Sequence, residues 1–425
     1  MRHFDLVVRS QRVVTPDGIV PAAVGVTAGV IAAITGYDAP LEAFHATDLG
    51  AAALLPGGVD LDVGVQSPGQ DLADAYAATT AAAAAGGTTT MVVTPAPARP
   101  ALTEAAALRR HLRAARGNSS THVAFLGGIT GRSTPADLAE LRGAGVVGFH
   151  CSLSDGGAPD MGAVHEAQLR KTMGELAAMD ATLVVHPEDA AEIAVPVRGG
   201  NGALLSSRPP RAERRGLERV ISAARVTGTR AHISPFTAAE CAAVLAAARS
   251  IGIPVSAQTC PHYLCMPAER VPDHSPAFQC RPPLRSNANR LALWSALLDD
   301  SIVDCVGSGH RPGTGVSVVS WTLPAMWTAA TRRGCDLTAL ARWTAERPAD
   351  IVGLGAKGRI AVGRDADLVG FDPDAKHQVA DTDPGPYAGL RLTGRVTATW
   401  VAGRRITAAD AGPTVHGTPL LPATS

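Results

Sequence analysis

The stretch Gly-Val-Asp-Leu-Asp-Val-Gly-Val, residues 58–65, is a short apolar run of the kind that forms a buried strand. It is the first of eight such runs, and each is followed by a segment rich in Ala, Leu or Arg with helical periodicity. The other seven runs are residues 89–94, 122–127, 146–152, 181–186, 230–233, 253–259 and 302–308. Eight strand–helix units over about 300 residues predict an α/β protein with a (β/α)8 (TIM) barrel, whose chemistry takes place at the carboxyl ends of the strands.

Further β-prone segments lie at both ends of the chain, at residues 4–14, 19–34, 358–371 and 390–406. Neither end is long enough to make a stable β-domain alone, so we expect the two termini to pack together. The predicted organisation is a small composite β-sandwich domain of residues 1–54 and 355–425 beside a barrel of residues 55–354.

Composition and charge exclude several classes of protein. The 425 residues are 46% hydrophobic and 18% charged, which is typical of a folded chain and not of a disordered one. Thirty-eight Lys and Arg balance 38 Asp and Glu, and the densest basic segment, residues 208–219, is expected to be the solvated start of a helix. Because binding to nucleic acid requires a basic face, we expect no nucleic-acid partner.

The sequence also argues against a membrane or secreted location. Its first 14 residues lack the basic start and apolar run of a signal peptide, and the alanine-rich run at residues 77–85 ends at Gly86. A membrane span needs about 18 apolar residues. Seven cysteines without a C-x-x-C pair favour reduced thiols. We therefore expect a cytoplasmic protein without membrane contact.

The ends of the eight runs carry polar residues in a distinctive series. The series reads Pro56-Gly57-Gly58-Val59-Asp60-Leu61-Asp62, Gly148-Phe149-His150-Cys151, Val185-His186-Pro187-Glu188-Asp189, His232-Ile233-Ser234-Pro235, Gln258-Thr259-Cys260-Pro261-His262-Tyr263 and Ser308-Gly309-His310-Arg311-Pro312. In this order it resembles the cyclic amidohydrolases, the family of dihydroorotase, hydantoinase and allantoinase, and it is most similar to the allantoinase branch. Residues 280–285 and 356–363 extend the resemblance over nearly the whole chain. The resemblance implies a barrel enzyme acting on cyclic amides or ureides.

The resemblance also implies a metal centre whose ligands are changed here. Members hold two metal ions with a His-x-His pair on the first strand, a carbamylated lysine on the fourth, a histidine on each of the fifth and sixth, and an aspartate on the eighth. The corresponding positions read Asp62, Gly64, His150, His186, Pro235 and Gly309, so only His186 is kept. The only lysines, Lys171, Lys357 and Lys376, lie elsewhere. Since Pro235 and Gly309 offer no side-chain donor, we predict no binuclear centre, no metal and no other cofactor.

Hydrolysis in this family needs a metal-bound water and a carboxylate base, so ordinary ring opening is expected to fail. The scaffold segments are kept while the ligands are changed, which indicates a new role. His150 and His186 end neighbouring strands and can share one ligand. His150 acts as an acid or base, or replaces a ligand, or is satisfied within the core. Asp62 orients one imidazole, or joins both histidines in a mononuclear metal site.

Substrate contacts are predicted for the residues that surround these three. They are Gly64, Gln66, His232, Gln258, Gly309, His310 and Arg311. The small residues Gly64, Pro235 and Gly309 stand where the family has bulky ligands, so the freed space is expected to hold a ligand or water. Arg311 is expected to meet a carboxylate or a ureido oxygen. His232 is expected to support the scaffold more than the chemistry.

Three functions remain open from the sequence. The first is a metal-independent enzyme for a small cyclic amide or ureide, with His150 and His186 as acid and base. The second is a non-catalytic homologue that binds a ligand or stabilises a partner subunit. The third is a hydrolase of cyclic C–N bonds with one metal ion. In each case the partner is a small molecule, and the habit of the family predicts a homo-oligomer, a dimer or a tetramer.

Overall fold

A computed structural model of the protein describes residues 3–155, 160–194, 200–299, 302–313, 315–406 and 417–421. The strands are β1 (Phe4–Thr15), β2 (Gly18–Thr27), β3 (Val30–Gly36), β4 (Ala43–Asp48), β5 (Ala53–Pro56), β6 (Gly58–Val63), β7 (Thr88–Val93), β8 (His122–Gly128), β9 (Gly148–Ser152), β10 (Leu183–His186), β11 (Ala231–Ile233), β12 (Val255–Thr259), β13 (Cys305–Val306), β14 (Leu368–Gln378), β15 (Arg391–Val401) and β16 (Arg404–Ile406). The α-helices are α1 (Leu72–Ala85), α2 (Ala105–Ala115), α3 (Pro135–Ala144), α4 (Glu166–Ala178), α5 (Asn201–Ser207), α6 (Pro210–Thr227), α7 (Ala242–Ser250), α8 (Pro261–Cys265), α9 (Asn287–Leu298), α10 (Thr322–Thr331), α11 (Leu337–Ala341) and α12 (Arg347–Ile351).

The strands β6 to β13 form a parallel sheet in chain order, and each matches one of the eight predicted runs. The predicted (β/α)8 barrel is therefore confirmed. Where β13 meets β6, the barrel is linked by two hydrogen bonds that are not part of a strand ladder. The amide of Gly64 donates to the carbonyl of His310 at 2.8 Å, and the amide of Ser308 donates to Oδ1 of Asp60 at 2.7 Å.

The two ends of the chain form the second sheet, as the sequence predicts. Its order is β16-β15-β14-β5-β1-β2-β3, with β4 beside β1. Strands β14 and β5 pair antiparallel and join the carboxyl-terminal part of the sheet to the amino-terminal part. Residues 417–421 leave this sheet and run along β8 of the barrel, where the Val123 amide donates to the Thr418 carbonyl at 3.2 Å. The domain boundaries at residues 54/55 and 354/355 stay a prediction. Residues 1–2, 407–416 and 422–425 of the predicted β-domain lie outside the described residues.

Local sequence explains why the helices begin and end where they do. Helix α3 begins at Thr134, whose side chain accepts from the Asp137 amide while the Asp137 carboxylate accepts from the Thr134 amide. This reciprocal pair is a capping box and satisfies two amides that the first turn leaves free. The helix ends at Gly145, whose φ of 112° suits a residue without a Cβ. No helix among the described residues combines the length and apolar character needed to cross a membrane.

The interior of the barrel changes from apolar to polar along the strands. At the amino-terminal end, side chains from four strands pack with α12: Val59, Leu61, Val92, Ala124, Leu126 and Val184. Side chains alternate in and out along a strand, so residues paired with the inward Val184 also face inward. His150 on β9 and His232 on β11 both pair with Val184. The next inward residues, Ser152, His186 and Ser234, lie closer to the mouth of the barrel.

Candidate functional site

A cavity of about 450 Å³ lies at the carboxyl ends of the barrel strands. This volume is in the range of small-molecule sites. Five of the residues predicted from the sequence line it: Asp62, His150, His186, Gly309 and Arg311. The structure therefore brings the three predicted catalytic side chains to one cavity, together with the cation expected at the exit of the eighth strand.

The centre of the site is an ion pair between Asp62 and Arg311. Asp62 lies near the end of β6 with a φ of 64°, and its side chain lines the cavity. Its Oδ1 lies 2.8 Å from Nη2 of Arg311, and its Oδ2 accepts from the hydroxyl of Ser234 at 2.8 Å. Burial raises the pKa of Asp62, but the guanidinium of Arg311 and the Ser234 hydroxyl outweigh burial and leave the pKa below its ordinary value. Asp62 is thus an ionised, buried acceptor at neutral pH.

Arg311 fills the space that the sequence predicted to be free beside Gly64. A Cβ at Gly64 would lie 3.1 Å from Cδ of Arg311 and 3.1 Å from the His310 carbonyl oxygen. The same guanidinium donates to the carbonyl of Asp62 through Nη1. Gly309 has a φ of 65°, and a Cβ there would lie 2.8 Å from Sγ of Cys260. A side chain at either glycine therefore requires its neighbours to move, and the two positions leave no void for a metal ligand.

His150 faces the cavity beside Asp62. Its Nε2 lies 3.7 Å from Oδ1 of Asp62, and its buried Nδ1 has no hydrogen-bond partner among the described residues. Burial lowers the pKa of His150 to about 4, against a smaller opposing effect of the Asp62 carboxylate. The imidazole is neutral at pH 7, so one ring nitrogen accepts a hydrogen bond while the other donates one.

His186 is held by a carboxylate that sequence reasoning left out of the site. Its Nε2 donates to Oε2 of Glu188 at 2.9 Å, and the same oxygen accepts from Arg208. Burial alone would raise the pKa of Glu188. The hydrogen bond from His186 and the charge of Arg208 outweigh burial, so the pKa of Glu188 lies below its ordinary value. An ionised Glu188 fixes the proton of His186 on Nε2 and leaves Nδ1 as an acceptor. The spacing His-x-Glu at residues 186–188 is the signal that identifies this pair.

Arg208 corrects an expectation about the basic segment at residues 208–219. Its side chain is buried in the ion pair with Glu188 and is not part of a solvated helix start. The helix α6 begins later, at Pro210, and the exposed cations of the segment are Arg211, Arg214 and Arg215.

Ser234 and Gln258 support Asp62 from beneath. The side-chain amide of Gln258 donates to Oγ of Ser234 at 2.7 Å, and the Ser234 hydroxyl in turn donates to Asp62. Gln258 is buried below the cavity and does not line it. Its predicted contact with substrate is therefore replaced by a contact with Ser234, which fixes the orientation of the Asp62 carboxylate.

His232 corrects the alignment of the sixth strand. It lies on β11 and faces inward, whereas Pro235 lies beyond the end of that strand. The strand-six histidine of the family therefore matches His232 better than Pro235, and two of the six positions keep a histidine. His232 is completely buried, its Nδ1 is 2.8 Å from Oγ of Ser256, and burial lowers its pKa to about 4.

The remaining predicted contacts lie away from the cavity wall. Gln66 makes hydrogen bonds to two loops. Its Nε2 donates to the Gln70 carbonyl at 2.7 Å, and its Oε1 accepts from the Arg99 amide. His310 is buried behind the strand end, where Nδ1 accepts from the Val318 amide at 3.1 Å, and burial lowers its pKa to about 3. Gly64 contacts the Arg311 side chain and not the cavity. These three residues do not line the cavity, and their predicted contacts with substrate stay a prediction.

Two cysteines at the ends of the barrel strands have raised pKa values. Cys260 lines the cavity, and burial raises its pKa well above the ordinary value. Cys151 faces away from the barrel interior, and burial raises its pKa to about 12. Because the thiolate is the nucleophile, neither side chain is poised to react at neutral pH.

The donor set does not fit the binuclear centre of the family. The described residues contain no group of three or more His, Cys, Asp or Glu side chains placed to hold a metal ion. Asp62 already faces the guanidinium of Arg311, and Nε2 of His186 already binds Glu188. A divalent cation at Asp62 would lie beside the positive charge of Arg311, which opposes its binding.

Two more cavity residues were missed in the sequence. His262 lines the cavity with a buried Nδ1 that lacks a partner among the described residues, and burial lowers its pKa to about 3. Arg281 also lines the cavity, from the loop between α8 and α9. In the sequence both residues sit inside segments that resemble the family scaffold, so no pattern separated them from structural positions.

Fold and site together define the class: a (β/α)8-barrel protein with a polar ligand cavity at the carboxyl ends of the strands and a sheet built from both termini. The chain belongs to the amidohydrolase family, whose model matches residues 53–406. It is 38% identical to an allantoinase from Streptomyces avermitilis, over 96% of both chains, and 33% identical to an allantoinase from Rubrobacter xylanophilus, over 96% of this chain and 95% of that one. It is also similar in structure to the L-hydantoinase (dihydropyrimidinase) from Arthrobacter aurescens, with a TM-score of 0.87, 26% identity and 98% coverage of each chain.

Proposed function

We propose that the chain is a metal-independent enzyme that transfers protons to and from a small cyclic amide or ureide. The substrate class is carried over from the allantoinase and hydantoinase relatives. The observation that carries the proposal is the ion pair of Arg311 with Asp62, which puts an organic cation where the family implies metal ions. A fixed guanidinium can bind or polarise a carbonyl oxygen without any metal ligand.

The proposed roles follow from the hydrogen bonds of each side chain. His186 is the base, because Glu188 holds its proton on Nε2 and leaves Nδ1 free to accept one. His150 is the proposed acid: its imidazolium form gives a proton to the substrate through Nδ1, which has no other partner among the described residues, and burial lowers the pKa of this form to about 4. Asp62 lies 3.7 Å from His150 and orients that ring, and its Oδ1 accepts an N–H of the substrate.

A cyclic amide or ureide matches this arrangement chemically. Such rings present N–H donors and carbonyl acceptors side by side, and both need partners when they are buried. The unpartnered acceptor His150 Nδ1 suits an N–H group, Asp62 Oδ1 can accept a second N–H beside its pair with Arg311, and Arg311 suits a carbonyl oxygen. Arg311 keeps 26% of its side chain exposed, so the guanidinium is within reach of a ligand in the cavity.

The experiment is proton exchange in D2O followed by NMR, with hydantoin and dihydrouracil as ligands and EDTA in excess. The acidic C–H beside the ring carbonyl reports proton transfer even when the ring stays closed. We expect exchange above the rate without enzyme, and a loss of about 10²- to 10⁴-fold in His150→Ala and in His186→Ala. His165→Ala, an exposed histidine before α4, is the matched control. Exchange that requires an added metal would reject the metal-independent mechanism.

A second candidate function is ligand binding without turnover. The lowered pKa of His150, about 4, favours it, since a ring that is neutral at pH 7 rarely carries the proton that the acid must give. Saturable binding of hydantoin without any exchange would support this function over the first. For either function we propose a homo-oligomer, on the habit of the family.

A further inference from the structure

We propose that the natural ligand carries an anionic group, such as a carboxylate on a ring substituent, and that Arg281 binds it. The inference rests on the proposed function and names its substrate class more closely. Two independent observations support it: an unpaired guanidinium on one part of the cavity wall, and buried acceptors without donors on another.

Arg281 differs from the other arginines near the cavity. Arg208 pairs with Glu188, Arg285 with Glu213, and Arg311 with Asp62. Among the described residues, the guanidinium of Arg281 makes no ion pair or hydrogen bond, although it lines the cavity. Burial and the nearby charge of Arg208 lower the pKa of Arg281, while Glu188 and Asp155 attract it from a distance. Within the part of the chain that the structure describes, its donors are available to a ligand.

The backbone that carries Arg281 is fixed on both sides. The neighbouring Cys280 is buried, and the Pro282 carbonyl accepts from the hydroxyl of Tyr263 at 2.7 Å. Arg285, further along, is buried and donates to the carbonyl of Arg208 at 2.9 Å. A guanidinium on an anchored loop loses less freedom on binding than one on a free loop, which favours a preformed anion site.

The charge balance of the cavity also favours an anion at the exposed side chain of Arg281. The negative charge of Asp62 is compensated by Arg311, and that of Glu188 by Arg208. His150 and His262 are neutral at pH 7, with pKa values that burial lowers to about 4 and about 3. Arg281 is then the uncompensated charge among the described lining residues, and it attracts a ligand with one negative group.

The acceptors elsewhere on the wall define the rest of the ligand. Nδ1 of His150 and Nδ1 of His262 are buried, belong to residues that line the same cavity, and lack hydrogen-bond donors among the described residues. Buried acceptors are normally paired, so the ligand is expected to supply N–H groups to them. A ring with N–H groups at one end and a carboxylate at the other meets both requirements.

The test compares two ligands that differ in charge alone, hydantoin-5-acetate and hydantoin-5-acetamide, by titration calorimetry on the full-length protein. We expect the carboxylate to bind at least about tenfold more tightly, because a charge-assisted bidentate contact is stronger than a neutral one. Arg281→Gln should remove this preference and leave binding of the acetamide unchanged. Arg281→Lys should keep part of it, since the charge remains without the bidentate geometry.

Arg270→Gln is the matched control, because Arg270 is an exposed arginine on the same loop that does not line the cavity. It should bind both ligands like the unmodified protein. If the acetamide binds and the carboxylate has no advantage, or if Arg281→Gln keeps the advantage, the anion site is refuted while the cyclic ureide proposal stands. If neither ligand binds, the cyclic ureide proposal is refuted and the anion site with it.

Discussion

Removing the guanidinium of Arg311 tests the central ion pair directly. The Asp62 side chain is only 5% exposed and lies 2.8 Å from Arg311, which is itself 26% exposed. Breaking a buried pair by deleting one partner costs about 3 to 5 kcal/mol, and the partial exposure of Arg311 places the expected loss near the lower end, about 3 kcal/mol. We therefore expect Arg311→Gln to be destabilised by about this amount at pH 8.

The loss should depend on pH in a defined direction. With Arg311 present, the pKa of Asp62 in the folded protein is below its ordinary value. The charged carboxylate therefore stabilises the fold at pH values above the ordinary pKa. Without Arg311, burial dominates and should raise the folded pKa above the unfolded one. Between the unfolded and the folded pKa of Asp62, the folded variant then binds more protons than the unfolded chain. Its stability therefore falls as pH rises through this range. The deficit should be smaller at pH 5 than at pH 8.

Urea unfolding followed by tryptophan fluorescence at both pH values measures this effect. The double variant Asp62→Asn/Arg311→Gln is the control, because a neutral amide needs no cation, and it should recover most of the lost stability. Unfolding midpoints of Arg311→Gln that equal those of the unmodified protein at both pH values would refute the account of Asp62 as a charge that depends on Arg311.

Three further predictions follow from the same site. Elemental analysis of the purified protein should find far less than one transition-metal ion per chain, and allantoin and hydantoin should not be opened even with added zinc; two bound ions would overturn the cation assignment. The rate losses in His150→Ala and His186→Ala should not add in the double variant, since groups that act together fail together; additive losses would assign them to separate steps. Stability should fall as pH drops from about 6.5 toward 4, because buried histidines with lowered pKa values take up protons on unfolding, on the order of 1 kcal/mol per pH unit each. The four with the largest shifts are His150, His232, His262 and His310, with pKa values of about 4, 4, 3 and 3. The raised pKa of Asp60, about 6, opposes only one of them, so thermal melting that is flat across this range would contradict the burial of these rings.

The architecture could be predicted from the sequence because it depends on short-range patterns. An apolar run of strand length followed by a helical period is visible in any window of the chain, and eight of them in succession leave few alternatives to a barrel. The polar residues at the strand ends were found for the same reason. Strand ends meet at one mouth in a parallel barrel, so Asp62, His150 and His186 were predicted to share a cavity and do so.

The partners of those residues depended on the tertiary structure. Arg311 follows β13, some 250 residues after Asp62 in the sequence, and only closure of the barrel brings its guanidinium against that carboxylate and into the space beside Gly64. Sequence spacing gives no information on such long-range contacts. The orientation of His232 was likewise set by the register of β11 against β10, since a shift of one residue turns a side chain from the inside of a barrel to the outside. The strand patterns thus determined where the site is, and the packing of distant side chains determined its charges and its free donors.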